Sequence, residues 1–217
     1  MIQKYIYGDP IETDAVIKEI PTSEGHPSYG TISTQNGFSF TYIMQPEDIV
    51  YGLGESNRGI NKRGFLYVSN CTDEPNHTED KQSLYGAHNF IIVDGINHSF
   101  GLFVDYPTNL TFDIGYTRQD TLSITCADAD LKLYVIDGSD AYDITRQFRH
   151  IIGRSYIPPR FAFGFGQSRW GYEKPEDFEY KIQVTVNPNE KTITFTDNGL
   201  GMTEEEVDEY INQIAFS

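Results

Sequence analysis

Four aspartates in the middle of the chain are the first candidates for acid–base chemistry. They share a position in or beside apolar stretches, and they are Asp105, Asp113, Asp128 and Asp130. Two carboxyl groups can divide acid and base roles only when the fold brings them close together on either side of a reacting bond. Acids in or beside strands are typically outward-facing or turn-forming residues, so we assign these four no catalytic role.

Metal-ligating residues show no characteristic spacing. The five histidines (His26, His77, His88, His98 and His150) contain no His-x-x-x-His pair, which is a spacing typical of zinc sites. The two cysteines, Cys71 and Cys126, lie far apart, and the pairing of Cys71 with His77 is a weak signal. A single disulfide between these two cysteines is an alternative. We expect no metal and no cofactor.

Charge and composition narrow the class of protein. The net charge is −16, from 32 acidic and 16 basic side chains. Nucleic acids and anionic membranes are bound by clustered lysines and arginines, so neither is an expected partner. The start of the chain lacks the apolar region of a signal peptide, and no apolar stretch is long enough to span a bilayer. We therefore expect an acidic, cytoplasmic protein.

Short alternating stretches predict a mainly β, antiparallel fold over the first 136 residues. Apolar and polar residues alternate, or apolar runs occur between turn residues, at 38–43, 90–93, 100–104, 110–114, 122–124 and 131–136. Asp94-Gly95 and Asn97 separate the second and third of these, which predicts a hairpin. Many short strands with frequent turns indicate a β-sandwich.

The periodicity changes after residue 139. Residues 140–152 carry an apolar stripe at helical spacing, with Ser139 or Asp140 to cap the start and Gly153 to end the helix. Pro158-Pro159 then interrupts the chain, and residues 161–165 predict one more strand. Residues 182–186 and 192–195 predict a second hairpin. A final helix is predicted from Thr203, which forms a capping box with Glu206.

Four strings in residues 1–178 occur in an order and spacing that resemble glycoside hydrolase family 31. They are YGLGE at 51–55, YVSNCTD at 67–73, FGLFVD at 100–105 and PPRFAFGFGQSRWGY at 158–172. The resemblance implies an N-terminal, galactose mutarotase-like β-sandwich followed by the first strand of a (β/α)8 barrel. It covers about four fifths of the chain and implies an α-glucosidase of carbohydrate metabolism.

The resemblance also implies a reaction that retains the anomeric configuration. One carboxylate attacks the anomeric carbon, and a second carboxyl group protonates the leaving oxygen. In the family both are aspartates on later barrel strands, and the string around the nucleophile, WxDMNE, does not occur in these 217 residues. We therefore assign no catalytic residue and expect a truncated barrel start that is inactive as it stands.

Two positions match family residues that face the sugar. Trp170, the only tryptophan, matches the end of the first barrel strand, where a flat aromatic face suits the apolar side of a sugar ring. Asp73 matches a loop of the sandwich that reaches across the glucose pocket and hydrogen-bonds sugar hydroxyls. The alternative is that Trp170 is a packed core residue and Asp73 is an ordinary loop acid.

Residues from about 180 to 217 resemble part of the ATP-binding domain of heat-shock protein 90 chaperones of the HtpG group. The resemblance rests on ITFTDNGLGMT at 193–203, the preceding hairpin and NQIAFS at 212–217. Asp197 matches the carboxylate that accepts from the adenine amino group, and Gly201 and Met202 match positions that line the base pocket. Because the family's catalytic helix is missing, we interpret them as a vestigial nucleotide site.

The two resemblances predict three segments. Residues 1–155 are the sandwich, 156–178 are the first strand and helix start of a truncated barrel, and 179–217 are the chaperone fragment. The strand that contains Phe161, Phe163 and Phe165 has no barrel to enter, and an unpaired apolar strand favours self-association.

Three functions follow from the sequence. The first is the N-terminal portion of an α-glucosidase, the second a non-catalytic carbohydrate-binding sandwich, and the third an ATP-binding chaperone fragment. We prefer the first because its resemblance covers most of the chain. The expected partners are α-linked glucosides or oligosaccharides, bound weakly.

Overall fold

A computed structural model describes residues 1–163, 179, 181–199, 201 and 203–205. The chain divides into two compact units, Met1–Ser155 and Tyr156–Ser217. The first unit contains ten strands and one helix, and the described part of the second contains a two-stranded hairpin.

The first unit is built from two five-stranded sheets. One sheet has the strand order β1 (Ile2–Tyr7), β10 (Leu131–Gly138), β7 (Ser99–Asp105), β6 (Ala87–Asp94), β4 (Ile49–Gly54). The other has the order β2 (Thr31–Ser33), β3 (Phe38–Ile43), β9 (Thr121–Cys126), β8 (Leu110–Ile114), β5 (Phe65–Ser69). Every pairing within them is antiparallel, so the predicted mainly β, antiparallel sandwich is confirmed.

The core of the unit lies between the two sheets. Phe38 and Phe40 on β3 and Phe112 on β8 come from one sheet, and Leu102 on β7 and Leu133 on β10 come from the other. All five are at most 1% exposed. Because side chains alternate between the faces of a strand, these positions put one face of each sheet into the core. Burial of each side chain is worth about 1.5–3 kcal/mol.

The single helix of the first unit, α1 (Ala141–Ile152), covers the outer face of the first sheet. Asp140 caps it, since the Asp143 amide donates to Asp140 Oδ1 at 2.8 Å, and this bond lowers the pKa of Asp140. Its apolar stripe packs on β6, β7 and β10, where the Phe148 ring stacks on Phe90 with centroids 3.8 Å apart. The predicted helix and the Asp140 cap are confirmed.

A glycine permits the close approach of α1 to the sheet. A Cβ on Gly101 of β7 would lie 2.6 Å from the Ile144 side chain. Helix and core together bury β7 and most of β10 on both faces. This double burial explains why their sequences are apolar almost throughout rather than alternating.

The strands predicted from alternation are β3, β6, β7, β8, β9 and β10, and all of them are present. The hairpin between β6 and β7 is confirmed by the pairing of Asp94 with Ser99. Strands β1, β2, β4 and β5 were not predicted. β2 has only three residues and β4 is interrupted by a bulge, so neither shows a clear period of two.

The described part of the second unit contains β11 (Ile182–Asn187) paired with β12 (Thr192–Asp197). This is the second predicted hairpin, and nearly all of its residues are exposed. Glu204 and Glu205 are helical, whereas Glu206 of the predicted capping box lies outside the described residues.

The strand predicted at 161–165 is wrong over the residues that the structure describes. Arg160–Phe163 form a 3-10 helix, in which the Ala162 amide donates to the Pro159 carbonyl at 2.9 Å. A strand is stabilised by hydrogen bonds to its neighbours, as in a closed barrel. The fixed φ of Pro159 suits the first turn of a helix instead. Residues 164 and 165 lie outside the described part.

The structure bears on the possible disulfide and on membrane-spanning helices. Cys71 and Cys126 are both free thiols, so the alternative of one disulfide is not realised. In the described part of the chain, no helix is long and apolar enough to cross a membrane.

A β-bulge interrupts β4 within the YGLGE string. Pairing with β6 shifts between Gly52 and Gly54, and residues 52–54 all have positive φ, with +122° at Gly52. A Cβ on Gly52 would lie 2.2 Å from the Phe90 carbonyl oxygen. The string is therefore a backbone feature that only glycine at 52 can form without strain.

We predict that Gly52→Ala lowers the free energy of unfolding by about 1–3 kcal/mol, because alanine is strained at this φ and collides with the neighbouring strand. Urea unfolding followed by circular dichroism measures the change. Gly59→Ala is the matched control, since a Cβ there meets no atom within 4 Å. Equal stability of the two variants would contradict the assigned role of Gly52.

Candidate functional site

Asp73 lies on the long loop that joins β5 to β6, here called the β5–β6 loop (residues 70–86). The loop folds back on itself, because the Val68 amide donates to the Gln82 carbonyl at 3.0 Å and the Thr72 amide to the Leu84 carbonyl at 2.9 Å. Leu84 is the one fully buried residue of the loop. These backbone hydrogen bonds hold the part of the loop that carries Asp73.

The carboxylate of Asp73 is held by an aromatic neighbour. The Tyr85 hydroxyl donates to Asp73 Oδ1 at 3.0 Å, and the His77 ring meets the Tyr85 ring edge-on at 5.3 Å. This hydrogen bond raises the pKa of Tyr85, because an ionised phenol could not donate it. Among the described residues, Asp73 Oδ2 has no hydrogen-bond partner. A carboxylate acceptor beside exposed aromatic rings can bind hydroxyl-rich molecules.

The segment that follows β4 (residues 55–58) is hydrogen-bonded to the β5–β6 loop. The Glu55 amide donates to the Gly86 carbonyl at 2.8 Å, and Glu55 Oε2 accepts from the Gly86 amide at 2.9 Å. Arg58 in the same segment bonds to Glu79 and Asp80. Glu55, Arg58 and Tyr85 were not predicted as site residues, since no local pattern shows that Tyr85 meets Asp73 or that Glu55 and Arg58 contact the loop.

The surface around Asp73 is open. The cavity at the base of the loop, between Glu55, Tyr67 and Gly86, has a volume of about 10 Å³, which is room for about one water molecule. A larger cavity of about 380 Å³ lies among other loops, where it is lined by Asp48 and His98. The predicted sugar-facing residue therefore lies on a surface rather than in a cleft of this unit.

The larger cavity borders a buried polar cluster. The Tyr42 hydroxyl donates to Asp48 Oδ2 at 3.0 Å and lies 2.6 Å from His98 Nε2. Asp48 is 2% exposed, and its Oδ1 atom is itself inaccessible to solvent. His98 Nε2 lies 3.4 Å from Oδ1. This cluster joins the two sheets and offers no accessible carboxylate to a ligand.

The four aspartates considered first all accept hydrogen bonds within the sandwich. Asp113 Oδ1 accepts from the Tyr116 amide at 2.9 Å, Asp128 from the Tyr106 hydroxyl at 2.7 Å and Asp130 from the Asp9 amide at 2.9 Å. Asp113 and Asp128 also accept backbone amides within four residues and so form turns, and Asp130 is exposed, which agrees with the expectation of turn-forming or outward-facing acids. Asp105 differs from the prediction, because it is 6% exposed and accepts from the Thr13 hydroxyl at 2.5 Å. The segment preceding β2 covers it.

The remaining predicted residues fall outside the Asp73 site or outside the described part of the chain. Trp170 and Met202 lie outside the described residues. The Asp197 carboxylate is exposed and accepts from the Gly199 amide at 2.8 Å, so it closes its own turn. Gly201 has a φ of +71°. In the part of the chain that the structure describes, no group of three or more potential metal ligands is present.

Comparison with known proteins shows what the sandwich resembles. Residues 19–113 match the profile of the glycoside hydrolase 31 N-terminal galactose mutarotase-like domain. The first unit is therefore similar to a glycoside hydrolase 31 N-terminal domain. A glycoside hydrolase 31 dextranase of Flavobacterium johnsoniae, solved with glucose, has the same fold, with a TM-score of 0.55 and 24% identity over 62% of this chain and 16% of its own.

Curated proteins similar to this chain include Alpha-glucosidase 2 of Bacillus thermoamyloliquefaciens. It is 28% identical over 161 residues, which is 70% of this chain and 20% of the relative. The chaperone protein HtpG of Porphyromonas gingivalis is 53% identical over 47 residues, which is 22% of this chain and 7% of the chaperone. The chain thus spans a fifth or less of the length of these relatives.

The two cysteines differ in their exposure to solvent. Cys71 is exposed on the β5–β6 loop. The pKa of Cys126 is raised to about 11, because burial and then the Asp128 carboxylate disfavour the thiolate. A group with a raised pKa stays protonated at neutral pH, so at about pH 8 the Cys126 thiolate fraction is on the order of one in a thousand.

We therefore predict that dithionitrobenzoate labels Cys71 near neutral pH and that Cys126 reacts only as the pH approaches its raised pKa. The number of thiols labelled is read from absorbance, and unfolded protein serves as the control in which both react. Rapid labelling of both thiols in the folded protein near neutral pH would contradict the packing of Cys126.

Proposed function

We propose that the sandwich is the N-terminal domain of an α-glucosidase-type enzyme and that Asp73 contacts an α-linked glucose unit. The observation that carries the proposal is the exposed Asp73 carboxylate, which Tyr85 holds at 3.0 Å on a folded loop. The domain type and the relatives named as α-glucosidases support the substrate class. Sugar recognition requires a fixed acceptor for ring hydroxyls, and no described residue bonds to the second carboxylate oxygen of Asp73.

The chain alone binds such a sugar weakly on this proposal. A single hydrogen bond to a charged group contributes about 1.5–3 kcal/mol. This is less than the ~4.1 kcal/mol that corresponds to a dissociation constant of 1 mM. The small cavity beside the loop adds little enclosure. We therefore expect binding in the millimolar range or weaker.

We predict that Asp73→Asn weakens the binding of methyl α-glucoside about tenfold, because the hydroxyl donors of the sugar lose a charged acceptor. The affinity is measured by titration followed by NMR of the loop residues. Glu79→Gln is the matched control, since it removes one carboxylate from the same loop and Glu79 contributes its backbone carbonyl to the Arg58 contact. Equal loss of affinity in both variants would mean that the net charge of the loop, and not the position of Asp73, determines glucoside binding.

We propose further that these 217 residues do not hydrolyse glycosides by themselves. The string that surrounds the nucleophile in the family is not among them. Asp105, Asp113, Asp128 and Asp130 are occupied by hydrogen bonds within the sandwich. We therefore assign none of the four as the nucleophile or the proton donor of a retaining mechanism, which needs two carboxyl groups on either side of the scissile bond.

We predict no release of nitrophenolate from p-nitrophenyl α-glucoside above the buffer control. The chain's mass is confirmed first, and an active α-glucosidase is assayed beside it as the positive control. Turnover that survives further purification would mean that a working carboxylate pair exists within these residues.

The chaperone-like tail does not support a second proposal. β12, which ends at Asp197, is exposed along its whole length, and Asp197 already accepts the amide of Gly199. Adenine sites bury the base among apolar residues, as ligand pockets generally do. The described residues of the tail provide no such enclosure.

A further inference from the structure

Arg58 connects the β5–β6 loop to the strand that precedes it. Its Nε donates to the Glu79 carbonyl at 2.6 Å and its Nη2 to the Asp80 carbonyl at 3.1 Å. Its Nη1 donates to the Leu66 carbonyl on β5 at 2.8 Å. The guanidinium also lies over the ring of Phe65, 4.3 Å from the centroid. One half-buried side chain therefore joins the loop to the edge of the sheet.

The geometry explains why an arginine occupies this position. Three carbonyl oxygens around one planar group match the forked donors of a guanidinium, while its face stacks on aromatic rings. The loop buries only Leu84 fully, so apolar packing holds little of it in place. Polar contacts must then hold the loop in one conformation. Hydrogen bonds from a charged donor are stronger than those between neutral groups.

The contact is connected to Asp73 by successive hydrogen bonds. Beyond residues 79 and 80, the returning arm of the loop bonds through the Gln82 carbonyl to Val68 and through the Leu84 carbonyl to Thr72. The next residue, Tyr85, donates to Asp73. We infer that Arg58 is the positioning residue for Asp73, fixing the returning arm so that Tyr85 meets the carboxylate. This role rests on the proposed sugar contact of Asp73.

A second arginine separates positioning from general stability. Arg63 is also half-buried, and it donates to the carbonyls of Gln45 at 2.7 Å, Pro46 at 3.2 Å and Gln119 at 3.1 Å. It therefore makes a comparable set of bonds to loops other than the β5–β6 loop. Replacing it tests what the loss of such a contact does to the fold alone.

The test compares Arg58→Lys with Arg63→Lys and Asp73→Asn in the full chain. Hydrogen–deuterium exchange reports on the amides of Val68 and Thr72, and titration with methyl α-glucoside reports affinity. Lysine keeps the charge but cannot contact three carbonyls in one plane. We expect Arg58→Lys to raise exchange at these two amides about tenfold, as loss of a charged hydrogen bond would. We also expect it to weaken glucoside binding about as much as Asp73→Asn does.

The controls distinguish the inference from the proposed function. Amides of β7 must keep wild-type exchange in Arg58→Lys, which shows that the sandwich is folded. Arg63→Lys is expected to leave loop exchange and glucoside affinity unchanged. Unchanged loop exchange in Arg58→Lys would overturn the positioning role. Raised loop exchange in a chain whose wild type binds no glucoside would support the positioning of the loop and overturn the proposed function.

Discussion

The face-to-face packing of two antiparallel sheets is the interaction on which the rest of this structure depends. Each sheet presents alternate apolar side chains to the other, and the loss of that packing would expose both faces to water. The first sheet is covered on its outer side as well, by α1 and the stacked rings of Phe90 and Phe148. Such double coverage makes the central strands rigid supports for the loops at their ends.

The loops themselves cannot rely on apolar burial, because they lie at the ends of the sandwich. Their carbonyl groups still need donors, and two half-buried arginines provide them. Arg58 serves the β5–β6 loop, and Arg63 serves the loop that follows β3. The functional consequence concerns the first of these loops. A surface carboxylate such as Asp73 can recognise a sugar only if the backbone that carries it is held in one conformation.

Alternation of side chains was sufficient to predict most of the strands, since a half-buried strand imposes a period of two. Alternation gave a wrong prediction where an apolar segment has no neighbouring strand to pair with among the residues that the structure describes. The phenylalanine-rich segment that begins at Phe161 has the composition of a strand, yet residues 160–163 form a 3-10 helix. Composition gives a strand its apolar faces, but hydrogen bonds from neighbouring strands give it its conformation. Asp105 was misjudged for a related reason, because a distant segment covers it.

By itself, the sequence determined the sandwich class, the position of α1, the second hairpin and the resemblance to glycoside hydrolase family 31, whereas the structure selected Asp140 over Ser139 as the cap of α1. These depend on residue periodicity, turn residues and short strings, which are all local. The tertiary structure alone decided that Asp73 meets Tyr85, and that Arg58 and Glu55 hold the loop between them. These contacts join residues 12 to 31 positions apart. Only chain folding sets such distances, since no local spacing encodes which loop carbonyl an arginine will reach.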